Sequence, residues 1–435
     1  MTGILLIKLT KTERSKMHSK RSSGFTVVEA ILIIFALGII GCAGWLVYKH
    51  HHATDKTANT TKTTVPVATN VWIGKGKTGD WSNAANWSLG TPVNGQNLKI
   101  NIAQVLPTWK GDGIPNKAFN DDIKGLVVHD LIFTGSNSSV NNVLNVSGDT
   151  LTVTHQILND DASNKSAAGP QIDNNVILDG NVAIDTPNES SLAFDGSVSI
   201  PKTSSVQVQT ARIAPTGFNV TGVISELPIF LIVFDGAFSG TGAIHVTGNS
   251  SVAFDGTSPD MDGTVTIASG AVAQLSNTLG NANISSTLNT PDDLGTSSID
   301  IQNGGNLEIN SGGSFEGANQ TPAMNIANNI TMSGDGSAYT TTNSTGKLTG
   351  AITSCLTGQG GCTGDAPGQT TPAPVTFSGT VTLAGNTELG TVTDSADENP
   401  VQYAHTSYIF KKPIVNPRAY TLSAVSDSLV QIVRQ

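Results

Sequence analysis

Paired carboxylates come nearest to catalytic chemistry in this chain. Asp121-Asp122, Asp160-Asp161 and Asp292-Asp293 are adjacent, and Asp260 and Asp262 alternate. Two or three carboxylates on one face can divide acid, base or nucleophile duties on a glycan, usually with a cation to take up developing charge. Neighbouring residues of a strand face opposite sides, however, so an adjacent pair rarely serves one centre. His129, His155, His245 and His405 are scattered, and none has a Ser or Cys partner in a recognisable context. Asp195, Asp235 and Asp255 each follow a Phe and precede a Gly. That reads as turn chemistry, with a calcium site the sharper alternative against a low carboxylate density. No Gly-rich phosphate loop or His-Cys cluster occurs. The chain is therefore expected to carry no catalytic residues, no metal site and no cofactor, and not to be an enzyme.

Composition points to the elements that carry these residues. Gly accounts for 46 of 435 residues, charged residues for 13% and aromatics for 5%, and the body is rich in Thr, Ser, Asn and Val. Thr and Val suit a pleated surface, and Asn and Gly suit tight turns, so strands are favoured over helices. From about residue 126 one theme recurs: a short strand of alternating Val, Ile, Leu or Phe, then a turn with Gly and Asp, Asn or Ser. Leu131-Ile132-Phe133-Thr134-Gly135, Leu192-Ala193-Phe194-Asp195-Gly196, Ile232-Val233-Phe234-Asp235-Gly236, Val252-Ala253-Phe254-Asp255-Gly256 and Val375-Thr376-Phe377-Ser378-Gly379 share it. Their phenylalanines are spaced near multiples of 20 positions. The fold class expected is all-β: a parallel β-helix, a solenoid with a coil of about 20 residues, over 126–395. No helical crossovers are visible, which excludes an ordinary α/β sheet.

Gly242-Ala243-Ile244-His245-Val246-Thr247-Gly248 and Gly263-Thr264-Val265-Thr266-Ile267-Ala268-Ser269-Gly270 resemble the strand repeat of autotransporter passenger domains. In 71–125, Trp81-Ser82-Asn83-Ala84-Ala85-Asn86-Trp87-Ser88-Leu89-Gly90-Thr91-Pro92 resembles the opening module of large bacterial β-solenoid surface proteins. Trp72, Trp81 and Trp87 are expected to cap the open edge of the strand stack, with glycan stacking on their rings as the sharper alternative. Residues 396–435, with Pro413 and Pro417, are expected to form the C-terminal cap. The Gly-His-Gly and Arg-x-Lys signatures of β-helical pectin-degrading enzymes are absent from this part of the chain.

The N-terminus has a different character. Residues 1–24 are basic, 25–49 are apolar, and 50–70 form a Thr-rich stretch expected to be a flexible linker. A helix over Phe25–Tyr48 would measure about 36 Å, long enough to cross a bilayer. Glu29 is its sole charge and calls for a partner, because an acid inside a span is costly. Lys8, Lys11, Arg14, Lys16, Lys20 and Arg21 precede the span and Lys49 alone directly follows it, which places the N-terminus in the cytoplasm and the body outside the cell.

Lys20-Arg21-Ser22-Ser23-Gly24-Phe25-Thr26-Val27-Val28-Glu29 and the apolar run resemble the N-terminus of type IV pilins and pilin-like proteins. The resemblance implies cleavage by a prepilin peptidase between Gly24 and Phe25, and methylation of the new amine at Phe25. It also implies that Glu29 neutralises the amine of another pilin subunit during assembly. Starting at Met17 would give a shorter leader, nearer the family's habit. Ile39-Ile40-Gly41-Cys42 resembles a lipoprotein signal, but the chain stays apolar after Cys42 where a lipoprotein turns polar.

The first 50 residues hold 7 Lys/Arg and 2 Asp/Glu, which leaves 16 against 31, or −15, for the remainder. Such an acidic body is a poor ligand for nucleic acid. Cys355 and Cys362 are the cysteines outside the apolar segment, and an even pair in an exported region points to a disulfide closing a Gly-rich loop. Together these features lead to an expected membrane-anchored, pilin-processed surface protein for adhesion to an unidentified surface or glycan. The alternatives are a β-helical polysaccharide lyase or hydrolase, and a minor pilin-like component of a pilus or type II secretion machine.

Overall fold

The structure, a computed structural model, describes residues 66–102, 119–135, 144–160, 169–188, 190–210, 219–220, 223–224, 232–276, 293–310, 324–336, 350–355, 373–391, 406–424 and 430–434. The leader, the apolar segment 25–49 and nearly all of the linker, with Gly24, Phe25, Glu29 and Cys42, lie outside these residues. No helix among the described residues is long and apolar enough to cross a membrane.

The described residues are all-β, with almost no helix, and 25 strands join into one sheet network. Short strands such as Leu192–Phe194, Val198–Ile200 and Val176–Leu178 show a buried, half-buried, buried pattern. This is the period of two that Val, Ile and Leu impose on a pleat with one apolar face.

Pairing is parallel and follows three ladders. One runs from Thr69–Val71 through Asn97–Asn101, Asn181–Thr186, Ser205–Thr210 and Ala243–Thr247 to Ser298–Ile301 and Ile330–Gly334. A second runs from Phe119–Asp121 through Leu192–Phe194, Ile232–Phe234 and Ser251–Phe254 to Ile352–Cys355. A third joins Val176–Leu178, Val198–Ile200, Phe238–Gly240 and Asp260–Met261. Along the chain the order second, third, first repeats, an arrangement consistent with a parallel β-helix. A separate four-stranded parallel sheet, from Met324–Ile326 through Ala373–Phe377 and Thr406–Phe410 to Val430–Arg434, takes the third ladder's place in that order. Asn219–Val220 and Val223–Ile224 form an antiparallel pair apart from the ladders.

The Phe-Asp-Gly repeat has a direct packing cause. Phe194, Phe234 and Phe254 stack in register, with ring centroids 4.7 and 5.6 Å apart, and all three are buried. The glycine two positions on passes so close to the coil before it that a Cβ at Gly236 would lie 1.9 Å from the Gly196 carbonyl oxygen. A side chain there would push the coils apart.

Register departs from the sequence expectation in two ways. Phe133 pairs with Ile100 and Asn159 in the first ladder, and Phe377 stacks on Phe410 in the separate sheet, so three of the five phenylalanines share a column. Coil length also varies: ladder partners are 20 positions apart at Phe234 and Phe254, 40 at Phe194 and Phe234, and 51 at Ile330 and Val381. Pairing constrains the rung and leaves the connection free, which is why no single period describes the chain.

Both ends belong to the stack. The ladders begin at Thr69, ahead of the expected start at 126, and Thr406–Phe410, Leu422–Ala424 and Val430–Arg434 pair in parallel within the expected cap 396–435. Between Pro413 and Pro417, Val415 donates its N–H to Val381 O and accepts from Leu383 N, so the prolines leave pairing intact. Trp72, Trp81 and Trp87 are 2%, 0% and 2% exposed, and they meet one another and Phe119 edge to face at centroid distances of 4.5–5.6 Å. Their loop is held by the buried Asn86. Its Oδ1 accepts from Gly76 N, and its Nδ2 donates to Thr78 O and Asp80 O.

Candidate functional site

The corner where the third ladder passes into the first gathers the one cluster of His, Asp, Glu or Cys among the described residues that could converge on an ion: His129, Asp130 and His155. Val127–Thr134 and Leu151–Asp160 are long enough to run through this corner, each joining both ladders. They turn it differently. Val128 pairs with Val153, but Asp130 pairs with Gln156, so the later strand holds one extra residue in a β-bulge. A bulge re-aims a side chain. His155, two positions from the inward Val153 and Ile157, should by alternation point inward, yet its side chain is 58% exposed.

The bulge sets the His155 ring over His129, with centroids 4.4 Å apart and planes within 20°. Both Nδ1 atoms then face one carboxylate oxygen: Asp130 Oδ1 lies 2.6 Å from His155 Nδ1 and 3.0 Å from His129 Nδ1. Asn97, one coil earlier, places Oδ1 3.2 Å from the same His129 nitrogen. Exposure grades outward from Asp130 at 13% to His129 at 35% and His155 at 58%. Two imidazoles and a carboxylate can share protons or hold a transition metal.

His129 and His155, scattered in the sequence, are brought together here. The two residues are 26 positions apart and meet through parallel pairing plus a bulge, and neither feature leaves a local motif. The one local hint was the His129-Asp130 dipeptide.

The other candidates fare differently. Trp72, Trp81 and Trp87 have no open ring face for a sugar, because all three are inside the core. Asp121 and Asp122 do face opposite sides: Asp121 is buried, whereas Asp122 accepts from the Ser82 N–H and hydroxyl. Burial, with added repulsion from Asp149 and Asp122, pushes Asp121 up to about 7 despite the Ile123 N–H it accepts from. Of the other pairs, Asp160 is exposed and Asp293 buried, while Asp161 and Asp292 lie outside the described residues. Asp260 and Asp262 are both exposed.

Asp173, Asp195, Asp235 and Asp255 stack beyond the second ladder, each taking its N–H to the coil before. Burial and then Asp255 and Asp195 raise Asp235 to about 6, and burial and Asp195 raise Asp173. These carboxylates repel one another without converging as ligand atoms, so the calcium alternative gains no support. Cys355 ends its strand, and Cys362, with any bridge to it, lies outside the described residues. Neither a protein-family model, nor a curated protein, nor a solved structure matches this chain.

Proposed function

We propose that this chain is a membrane-tethered, pilin-processed surface protein whose parallel β-helical body mediates adhesion. A prepilin peptidase cuts between Gly24 and Phe25, the Phe25 amine is methylated, and the helix 25–48 anchors the protein with its N-terminus cytoplasmic. The linker 50–70 carries the body away from the bilayer, about 25 Å root-mean-square if it is flexible. The observation that carries this reading is the joint occurrence of a basic leader, Gly24-Phe25, Glu29 and an uninterrupted apolar run ahead of an acidic body.

The body's surface fits the role. Several outward positions of its strands are polar, and the parallel ladders set some of them side by side, as with Gln207 and His245. Such neighbours suit many weak contacts on an extended ligand better than one deep reaction centre.

Mass spectrometry of the mature N-terminus tests the tether: methylated Phe25 supports this reading, while an intact leader or lipidated Cys42 rejects it. Binding of cells displaying the protein to glycan arrays and abiotic surfaces tests adhesion, with cells lacking it as the reference. Equal attachment by both, or turnover of a polyuronate abolished by one Asp substitution, would replace adhesion with a passive or enzymatic role. Glu29 also favours a minor pilin-like component, which predicts that Glu29→Val blocks incorporation into a pilus and leaves a simple anchor displayed.

A further inference from the structure

We propose that His129, Asp130 and His155 form a binding site for a borderline divalent transition-metal ion, of which zinc is the first probe. Each of the three residues offers one ligand atom, and these atoms lie within 4.8 Å of one another; the Nδ1 atoms of both histidines already face Asp130 Oδ1. Two neutral imidazoles and one carboxylate are a donor set that suits zinc, copper or nickel; calcium and magnesium prefer oxygen alone.

The geometry is close to what an ion requires. Tetrahedral zinc with bonds of about 2.0–2.1 Å sets its donors about 3.3 Å apart. The present separations of 2.6 and 3.0 Å therefore open by less than an ångström to admit it. The side that must give is the exposed one, because the His155 ring at 58% can tilt while Asp130 at 13% stays fixed by its strand. Asn97 Oδ1, already beside His129 Nδ1, is a neutral oxygen that could complete or orient the set. With three protein donors the ion keeps a position for water or for a donor from another molecule.

Two features argue that the arrangement is more than an ordinary surface hydrogen bond. One carboxylate oxygen faces both ring nitrogens. And the extra residue that breaks the register of Leu151–Asp160 sits where it turns His155 out over its neighbour.

The test uses the full chain in detergent, stripped with chelator and titrated with zinc chloride by calorimetry, with copper(II) electron paramagnetic resonance as a second readout. His50→Ala, His51→Ala and His52→Ala are combined in every sample to remove the linker histidines as competitors. The parent should bind one zinc ion and show a copper signal split by two nitrogens. His155→Ala and His129→Ala should each weaken zinc binding at least 10-fold and remove one nitrogen from the copper spectrum, while His245→Ala changes neither. Thermal unfolding without metal should be unaltered in His155→Ala, whose side chain is largely exposed, so that variant decides the matter even if His129→Ala folds poorly. Isotherms and spectra of His155→Ala that superimpose on the parent would overturn the site.

Discussion

Phe194 and Phe234 stack face to face, 4.7 Å between centroids and 18° between planes, although 40 positions separate them in the chain. Phe234 is the middle ring of its column, flanked by Phe254 on the other side and by Phe238 across the interior. Phe234→Ala should therefore destabilise the body by about 3–5 kcal/mol, the cost of deleting a buried ring and leaving a cavity. Denaturant unfolding followed by far-ultraviolet circular dichroism measures it. A loss below about 1 kcal/mol would mean the column is not packed as described.

Asn86 is the polar pin of the tryptophan loop. Asn86→Ala removes three hydrogen bonds and leaves Gly76 N, Thr78 O and Asp80 O without that partner. At about 1 kcal/mol for each bond, the expected cost is about 3 kcal/mol. It should appear locally first, as a red shift of tryptophan fluorescence when Trp72, Trp81 and Trp87 meet water. Unchanged fluorescence would contradict this.

The aspartate column works against stability at neutral pH. Asp235 ionises with difficulty because burial and the carboxylates of Asp255 and Asp195 disfavour its charge. Its folded value near 6 lies above the ordinary 3.8, so the folded chain holds this proton where the unfolded chain has lost it. Stability from this group accordingly falls as pH rises from about 4 to 6 and stays low above that. Asp235→Asn should raise the melting temperature at pH 8 and leave it nearly unchanged at pH 3.5. An equal shift at both would rule out charge as the cause.

Glu308 gives a second pH dependence with the same sign, over a window at higher pH. It is fully buried, Gln274 Nε2 donates to its Oε1 at 2.8 Å, and burial pushes it from 4.5 up to about 7. Between those values the folded state keeps a proton the unfolded state gives up. Stability then falls at about 1.4 kcal/mol per pH unit, by about 3 kcal/mol in total. Glu308→Gln should flatten the slope between pH 4.5 and 7 and make the protein more stable at pH 8. Parallel stability profiles for parent and variant would show that Glu308 is not the source.

The architecture was largely legible because it rests on local patterning. Alternation in Leu192–Phe194 or Val198–Ile200, and the Phe-Asp-Gly turns, are written in adjacent residues and need no distant partner. Register was not legible for the opposite reason. Phe133 and Phe377 sit in the same local motif as Phe194 but pair in other columns, and that choice depends on which coil lies beneath. The same holds for His129 and His155, whose meeting requires a parallel rung and a one-residue slip. The tryptophans, expected to cover the edge of the stack, are buried. Their burial under one another follows from edge-to-face packing with Phe119, a residue well outside the Trp motif.

The unequal spacing of the rungs bears on how such a body can change. Twenty residues suffice to climb from Phe234 to Phe254, whereas 51 separate Ile330 from its partner Val381, and parallel pairing continues on both sides of each. Extra sequence can thus be spliced into a connection without shifting the layers on either side. Each layer offers its own place to gain, lose or exchange a surface excursion while the stacked interior is inherited intact.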